Sequence, residues 1–124
     1  MSAKLTRLAL FAGALFLLAG SADAASFNCA KAKTPDEKAI CANPALSDLD
    51  TQMAALFGVR MKVPMLMGSR GTAGDEQVQW LQTRGSCGAN VACLTGVYKA
   101  RINTINSELD AAMQDYCVKL GICG

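Results

Sequence analysis

The sequence predicts an all-α fold, a small antiparallel helical bundle of three main helices plus a short N-terminal one, stapled by disulfides. Three observations carry this. Apolar residues recur at three- and four-residue steps over three long segments. No segment alternates with the period of two that marks a half-buried strand. Six cysteines fall in three close pairs along the part of the chain that follows an apolar N-terminal run.

The first helix is announced by Thr34-Pro35-Asp36-Glu37, a capping box with proline at the first helical position. Asp36 and Glu37 suit the positive end of the helix dipole. Asn43-Pro44 stops this helix and starts the next, with Asn43 as cap. Leu46, Leu49, Met53, Leu56, Phe57 and Arg60 form the second helix's stripe, which runs to about Lys62. Asp48, Asp50 and Gln52 fall on or near its wet side. Val63 to Gly74 holds Pro64, Gly68, Gly71 and Gly74 and reads as a loop around an apolar knot, Pro64-Met65-Leu66-Met67. Asp75 then caps a third helix carrying Val78, Trp80, Leu81 and Arg84, ended by Gly85-Ser86-Cys87-Gly88. The last helix is the longest, from near Asn90 to about Gly121. Leu94, Tyr98, Ile102, Ile105, Leu109, Met113 and Tyr116 share one of its faces.

Residues 1–24 read as a cleaved export signal. Lys4 and Arg7 precede an apolar run from Leu8 to Ala19, and Ala22-Asp23-Ala24 supplies the small residues a signal peptidase reads. The run is twelve residues, short of the ~20 that span a bilayer. Ser21 stands where a lipoprotein would carry its lipidated cysteine. Cleavage after Ala24 leaves residues 25–124 as one domain, which is expected to be periplasmic or secreted with no membrane attachment.

All six cysteines lie in that exported part, as an oxidising compartment permits. Six allow fifteen connectivities, and proximity favours Cys29–Cys41, Cys87–Cys93 and Cys117–Cys123. The gaps are too long for the Cys-x2–4-Cys spacing of zinc sites, and no redox Cys-x-x-Cys occurs. The chain has no histidine. Removing Lys4, Arg7 and Asp23 takes the net charge from +2 to +1, which offers no basic face for nucleic acid.

No nucleophile stands beside a general base, and the paired carboxylates Asp36-Glu37 and Asp75-Glu76 are accounted for at helix starts. The expectation is a protein that is not an enzyme and needs no cofactor or metal. Met61, Met65 and Met67 raise Cu(I) binding as a distant third function, against the ordinary role of methionine as an apolar filler. Trp80 reads as a core aromatic. Arg84 and Arg101 are placed to pair with Asp50 or other acids between helices, a structural role and a weak one if exposed.

Several stretches resemble the LprI-type lysozyme-inhibitor family. They are Phe27-Asn28-Cys29-Ala30-Lys31-Ala32, Thr34-Pro35-Asp36-Glu37-Lys38-Ala39-Ile40-Cys41 and Leu46-x-x-Leu49-Asp50 in the first half. Gln77-x-x-Trp80-Leu81-x-x-Arg84-x-x-Cys87-Gly88 and Cys93-Leu94-x-x-x-Tyr98-x-x-Arg101-Ile102 follow in the second. The likeness covers about Phe27 to Leu109. It implies a helical domain of the bacterial cell envelope, with paired cysteines, that binds a lysozyme-like muramidase and protects peptidoglycan. The chain departs from that pattern in its missing lipid-bearing cysteine, its glycine-rich Val63–Gly74 segment, and the added pair Cys117 and Cys123. A muramidase cleft carries two catalytic carboxylates, so a plug should bring cations or hydrogen-bond donors. Lys62 and Arg70 flank the Met65 knot, and Asn90 lies between Cys87 and Cys93. Either loop is a candidate contact. The alternative from another class is a structural or stress-related envelope protein without lysozyme affinity.

Overall fold

Two prolines and two asparagines set the beginning of the fold. In the computed structural model, which describes residues 24–63 and 69–123, helix α1 spans Pro35–Ala42 and α2 spans Pro44–Lys62. Asn43 closes the first and caps the second, its Oδ1 accepting the Leu46 amide at 3.2 Å. Glu37 reaches back to accept the amides of Lys33 and Thr34, at 2.7 and 3.1 Å. A single 3₁₀ turn at Cys29–Lys31, capped by Asn28, precedes α1. Helices α3 (Ser69–Ser86) and α4 (Val91–Leu120) complete the chain, and no strand occurs among the described residues.

Cross-contacts give the topology. Tyr98 meets Asp50 and Glu108 meets Arg60, so α2 and α4 run in the same direction. Arg84 lies by Asp50 and Glu76 by Arg60, so α3 runs opposite to both. Consecutive long helices are therefore antiparallel. The core between them is Ile40, Leu46, Met53, Trp80, Leu94, Tyr98, Ile102 and Ile105, with Ala25 from the N-terminal segment. Ser47, itself buried, donates to the Ile40 carbonyl at 2.7 Å and ties α1 to α2.

The three local cysteine pairs are disulfides. Cys29–Cys41 joins the 3₁₀ turn to α1, Cys87–Cys93 closes the α3–α4 turn, and Cys117–Cys123 closes the end of α4. At that end Gly121 takes φ 67°, and the amides of Gly121 and Ile122 return to the carbonyls of Val118 and Cys117. This is a Schellman ending, which favours glycine because a Cβ is strained at positive φ. Gly88 also takes a positive φ, 54°, in the turn after α3, a conformation that glycine adopts without strain.

Three expectations are corrected. Helix α3 begins at Ser69, so Arg70 to Gly74 are helical and Asp75 is an exposed interior residue, not a cap. Each glycine costs about 1 kcal/mol relative to alanine. Against that, Ala73 is fully buried and Glu76 reaches Arg60 and Arg101 from the same helix face. Tertiary contact overrides propensity here. The knot Pro64–Met67 lies outside the described residues.

Second, the buried stripe of α3 is Ala73, Trp80 and Arg84 with half-buried Gln77, while Val78 and Leu81 face solvent. Third, the apolar face of α4 leaves the core after Leu109, because α2 ends at Lys62, level with Glu108. Beyond it Met113 is 66% exposed and Ile122 71%.

Ile40 on α1 is fully enclosed, whereas Met113, read as part of the α4 stripe, is exposed. Ile40→Ala is predicted to cost about 2–5 kcal/mol, and Met113→Ala to stay within about 0.5 kcal/mol. Urea unfolding of the two variants measures both.

Candidate functional site

Ionisable side chains that lie close together among the described residues are mostly inside the bundle. The first cluster takes one residue from each helix. Arg84 on α3 donates from Nε to Oδ2 of Asp36 on α1 at 2.9 Å. Its Nη1 stands 3.9 Å from Oδ1 of Asp50 on α2. Tyr98 on α4 donates its hydroxyl to the same Oδ1 at 2.7 Å. Asp50 Oδ2 accepts the Ser26 amide at 2.7 Å. Asp36 and Asp50 are only 3% and 1% exposed. The helix repeat places Asp50 one turn from Leu46 and three residues before Met53, on the buried face. The expectation that Asp50 sits near the wet side is therefore wrong: Tyr98, Arg84 and Ser26 supply what water would.

Aromatic rings complete the enclosure. The guanidinium carbon of Arg84 lies 5.9 Å from the Phe27 ring centre and 5.8 Å from that of Trp80, within cation–π range. Trp80 meets Tyr98 edge to face at 5.2 Å, and its indole N–H donates to the Val97 carbonyl at 3.3 Å. Trp80 is thus a core aromatic with its polar atom satisfied.

Electrostatics follow from this geometry. Burial pushes the Asp36 carboxyl up, but the Thr34 hydroxyl and Arg84 together hold it below its ordinary value. Burial, reinforced by the Asp50 carboxylate, pushes the Tyr98 phenol well above the tyrosine range. The phenol therefore stays a donor, which Asp50 requires.

A second cluster lies toward the other end. Arg60 meets Glu108 through Nε and Glu76 through Nη2, the latter at 3.2 Å. Arg101 donates to Gln77 Oε1 from Nε and Nη2, at 3.3 and 3.1 Å, and lies 4.0 Å from Glu76. Arg60 and Arg101 are buried. Two cations and two carboxylates thus tie the three long helices together. Arg84 and Arg101 pair between helices as expected, but both are buried, not weak surface ties.

The candidate contact residues occupy opposite ends. Lys62, the last residue of α2, and Arg70, in the first turn of α3, are exposed and sit either side of residues 64–68. Asn90 is exposed on the clamped turn, but its Oδ1 accepts the Cys93 amide at 3.0 Å and caps α4. The structure does not bring Asn90 together with Lys62 and Arg70. Met61 is half-buried on α2, while Met65 and Met67 lie outside the described residues.

Sequence reasoning missed Asp36, assigned to a helix start, and Glu76 with Glu108, which pair with Arg60. The available signal was spacing: Asp36 and Ile40 share a face of α1, and Glu76, Ala73 and Trp80 share one of α3. Comparison with family models, curated proteins and solved structures finds no match for this chain.

Among the described residues no helix is long and apolar enough to cross a membrane, and the three disulfides suggest an oxidising environment.

The lowered Asp36 pKa carries a signed expectation. A carboxylate depressed in the folded state stabilises above its unfolded value and loses that stabilisation as pH falls through the folded one. Its contribution is therefore complete above about pH 4 and lost on further acidification. Melts from pH 7 to 2 should show a steep acid limb that Asp36→Asn flattens.

Proposed function

We propose that the protein is exported, cleaved after Ala24, and inhibits a lysozyme-like muramidase in the periplasm or outside the cell by blocking its cleft. One observation carries the reading. Asp36, Asp50, Trp80, Arg84 and Tyr98, which lie in the stretches resembling LprI-type inhibitors, form one connected buried framework beside the core. The likeness therefore rests on a cooperating set, and not on scattered surface matches.

Within this reading the end of the bundle that carries Lys62 and Arg70 is the contact surface. Both cations are exposed, where a cleft with two carboxylates offers them partners. A rigid support lowers the entropy lost on binding. The Arg60–Glu76 and Arg60–Glu108 ion pairs supply it by joining the end of α2 to α3 and α4. Asn90 is assigned to the support, since its side-chain oxygen is committed to capping α4.

Lysis of a bacterial suspension by several lysozymes, followed against increasing amounts of the oxidised protein, tests the proposal. The native protein should slow lysis by at least one lysozyme type. Lys62→Glu with Arg70→Glu should weaken that effect about tenfold or more, with an unchanged melting temperature. Undiminished lysis at large excess, across lysozyme types, removes the inhibitor reading and leaves a structural role in the envelope.

A further inference from the structure

Asp50 is approached from a direction that the helices do not supply. Residues 24–26 run along the start of α2, ahead of the 3₁₀ turn. The Thr51 hydroxyl donates to the Ala24 carbonyl at 2.7 Å, and the Ser26 amide donates to Asp50 Oδ2 at 2.7 Å. Ala25, between them, is buried and belongs to the core cluster. Covalent geometry then sets how far its nitrogen can be from Asp50. Adjacent backbone nitrogens are at most ~3.7 Å apart, so the Ala25 nitrogen lies within about 6.5 Å of Oδ2.

The cluster it would join is short of positive charge. Among the described residues, Asp36 from α1 and Asp50 from α2 face a single guanidinium, Arg84 from α3, with the neutral Tyr98 hydroxyl from α4. A formal charge of one negative unit is left in a nearly solvent-free site. Burying unbalanced charge is costly.

We propose that the missing charge is the α-ammonium of Ala25, made when residues 1–24 are removed. Hydrolysis adds water across the Ala24–Ala25 peptide bond. Ala24 leaves with a carboxylate, and the amine released on Ala25 takes up a proton. The same cut removes the carbonyl that Thr51 holds, leaving its hydroxyl oxygen to accept from the ammonium while Asp50 supplies the counter-charge. An uncut chain has only a neutral amide at this point. Export processing thereby completes the electrostatics of the core, and the mature domain is more stable than its precursor. The inference rests on cleavage after Ala24 and is independent of any lysozyme.

Two forms of the oxidised protein test it, one released from a cleavable tag to begin at Ala25 and one retaining Gly-Ala24 ahead of it. The Ala25 amine, followed by NMR in the first form, should titrate at least one unit above the ordinary ~7.7–8.0. The extended form should melt about 5 °C or more lower at pH 7, and Asp50→Asn should abolish that difference. If Asp50→Asn does not fold, the amine titration in the native chain decides. An amine that titrates in its ordinary range, or equal melting of the two forms, would overturn the proposal. So would N-terminal sequencing of exported protein that starts at another residue.

Discussion

Arg84 sits where all four helices meet, and the arrangement of the bundle depends on it. Its guanidinium pairs with Asp36 on α1, lies near Asp50 on α2, and is flanked by Phe27 and by Trp80 of its own helix. Taking these charges out of water costs several kcal/mol per ion, so the cluster need not add net stability over an apolar core. What it does is make other packings expensive. Rotating α1 or α2 by one residue strands a buried carboxylate, whereas sliding a leucine along an apolar face costs much less.

Disulfides and charge pairs act on different parts of the molecule. Cys29–Cys41 and Cys87–Cys93 close short loops at the end where α1, the start of α2 and the α3–α4 turn gather. Each contributes roughly 2–3 kcal/mol by restricting the unfolded chain. Arg60, Arg101, Glu76 and Glu108 hold the opposite end, where the helices have no cross-link between them. The third disulfide, Cys117–Cys123, lies on the part of α4 that continues past α2. It stabilises a helix ending, and not the core.

Helix starts were legible because capping chemistry is local: Thr34-Pro35, Asn43-Pro44 and Asn90 each announce themselves within four residues. The cysteine pairing was legible for the same reason. The inside of α3 was not. Its buried face carries Gln77 and Arg84 beside Ala73 and Trp80, so a search for apolar periodicity selects Val78 and Leu81, which are exposed. Asp50 misled in the same way, since a carboxylate reads as solvent-facing until its partners from α3, α4 and the N-terminal segment are known. Glycines at 71 and 74 signalled a loop, and only the contacts of Ala73 and Glu76 explain the helix that forms. Of the three residues named as candidate contacts, Lys62 and Arg70 flank residues 64–68 while Asn90 lies at the far end of the bundle, a separation that sequence had no means of showing.

A buried, charge-specified frame leaves the bundle's surface open to vary, which suits the recognition role proposed for Lys62 and Arg70. If buried charge specifies the bundle, Asp36 and Arg84 act as one unit. A double-mutant cycle with Asp36→Asn, Arg84→Met and the pair measures this by urea unfolding. Each single change should cost about 3 kcal/mol or more, and the double change no more than the larger single one. Costs that add within about 0.5 kcal/mol would show two independent side chains and contradict the account.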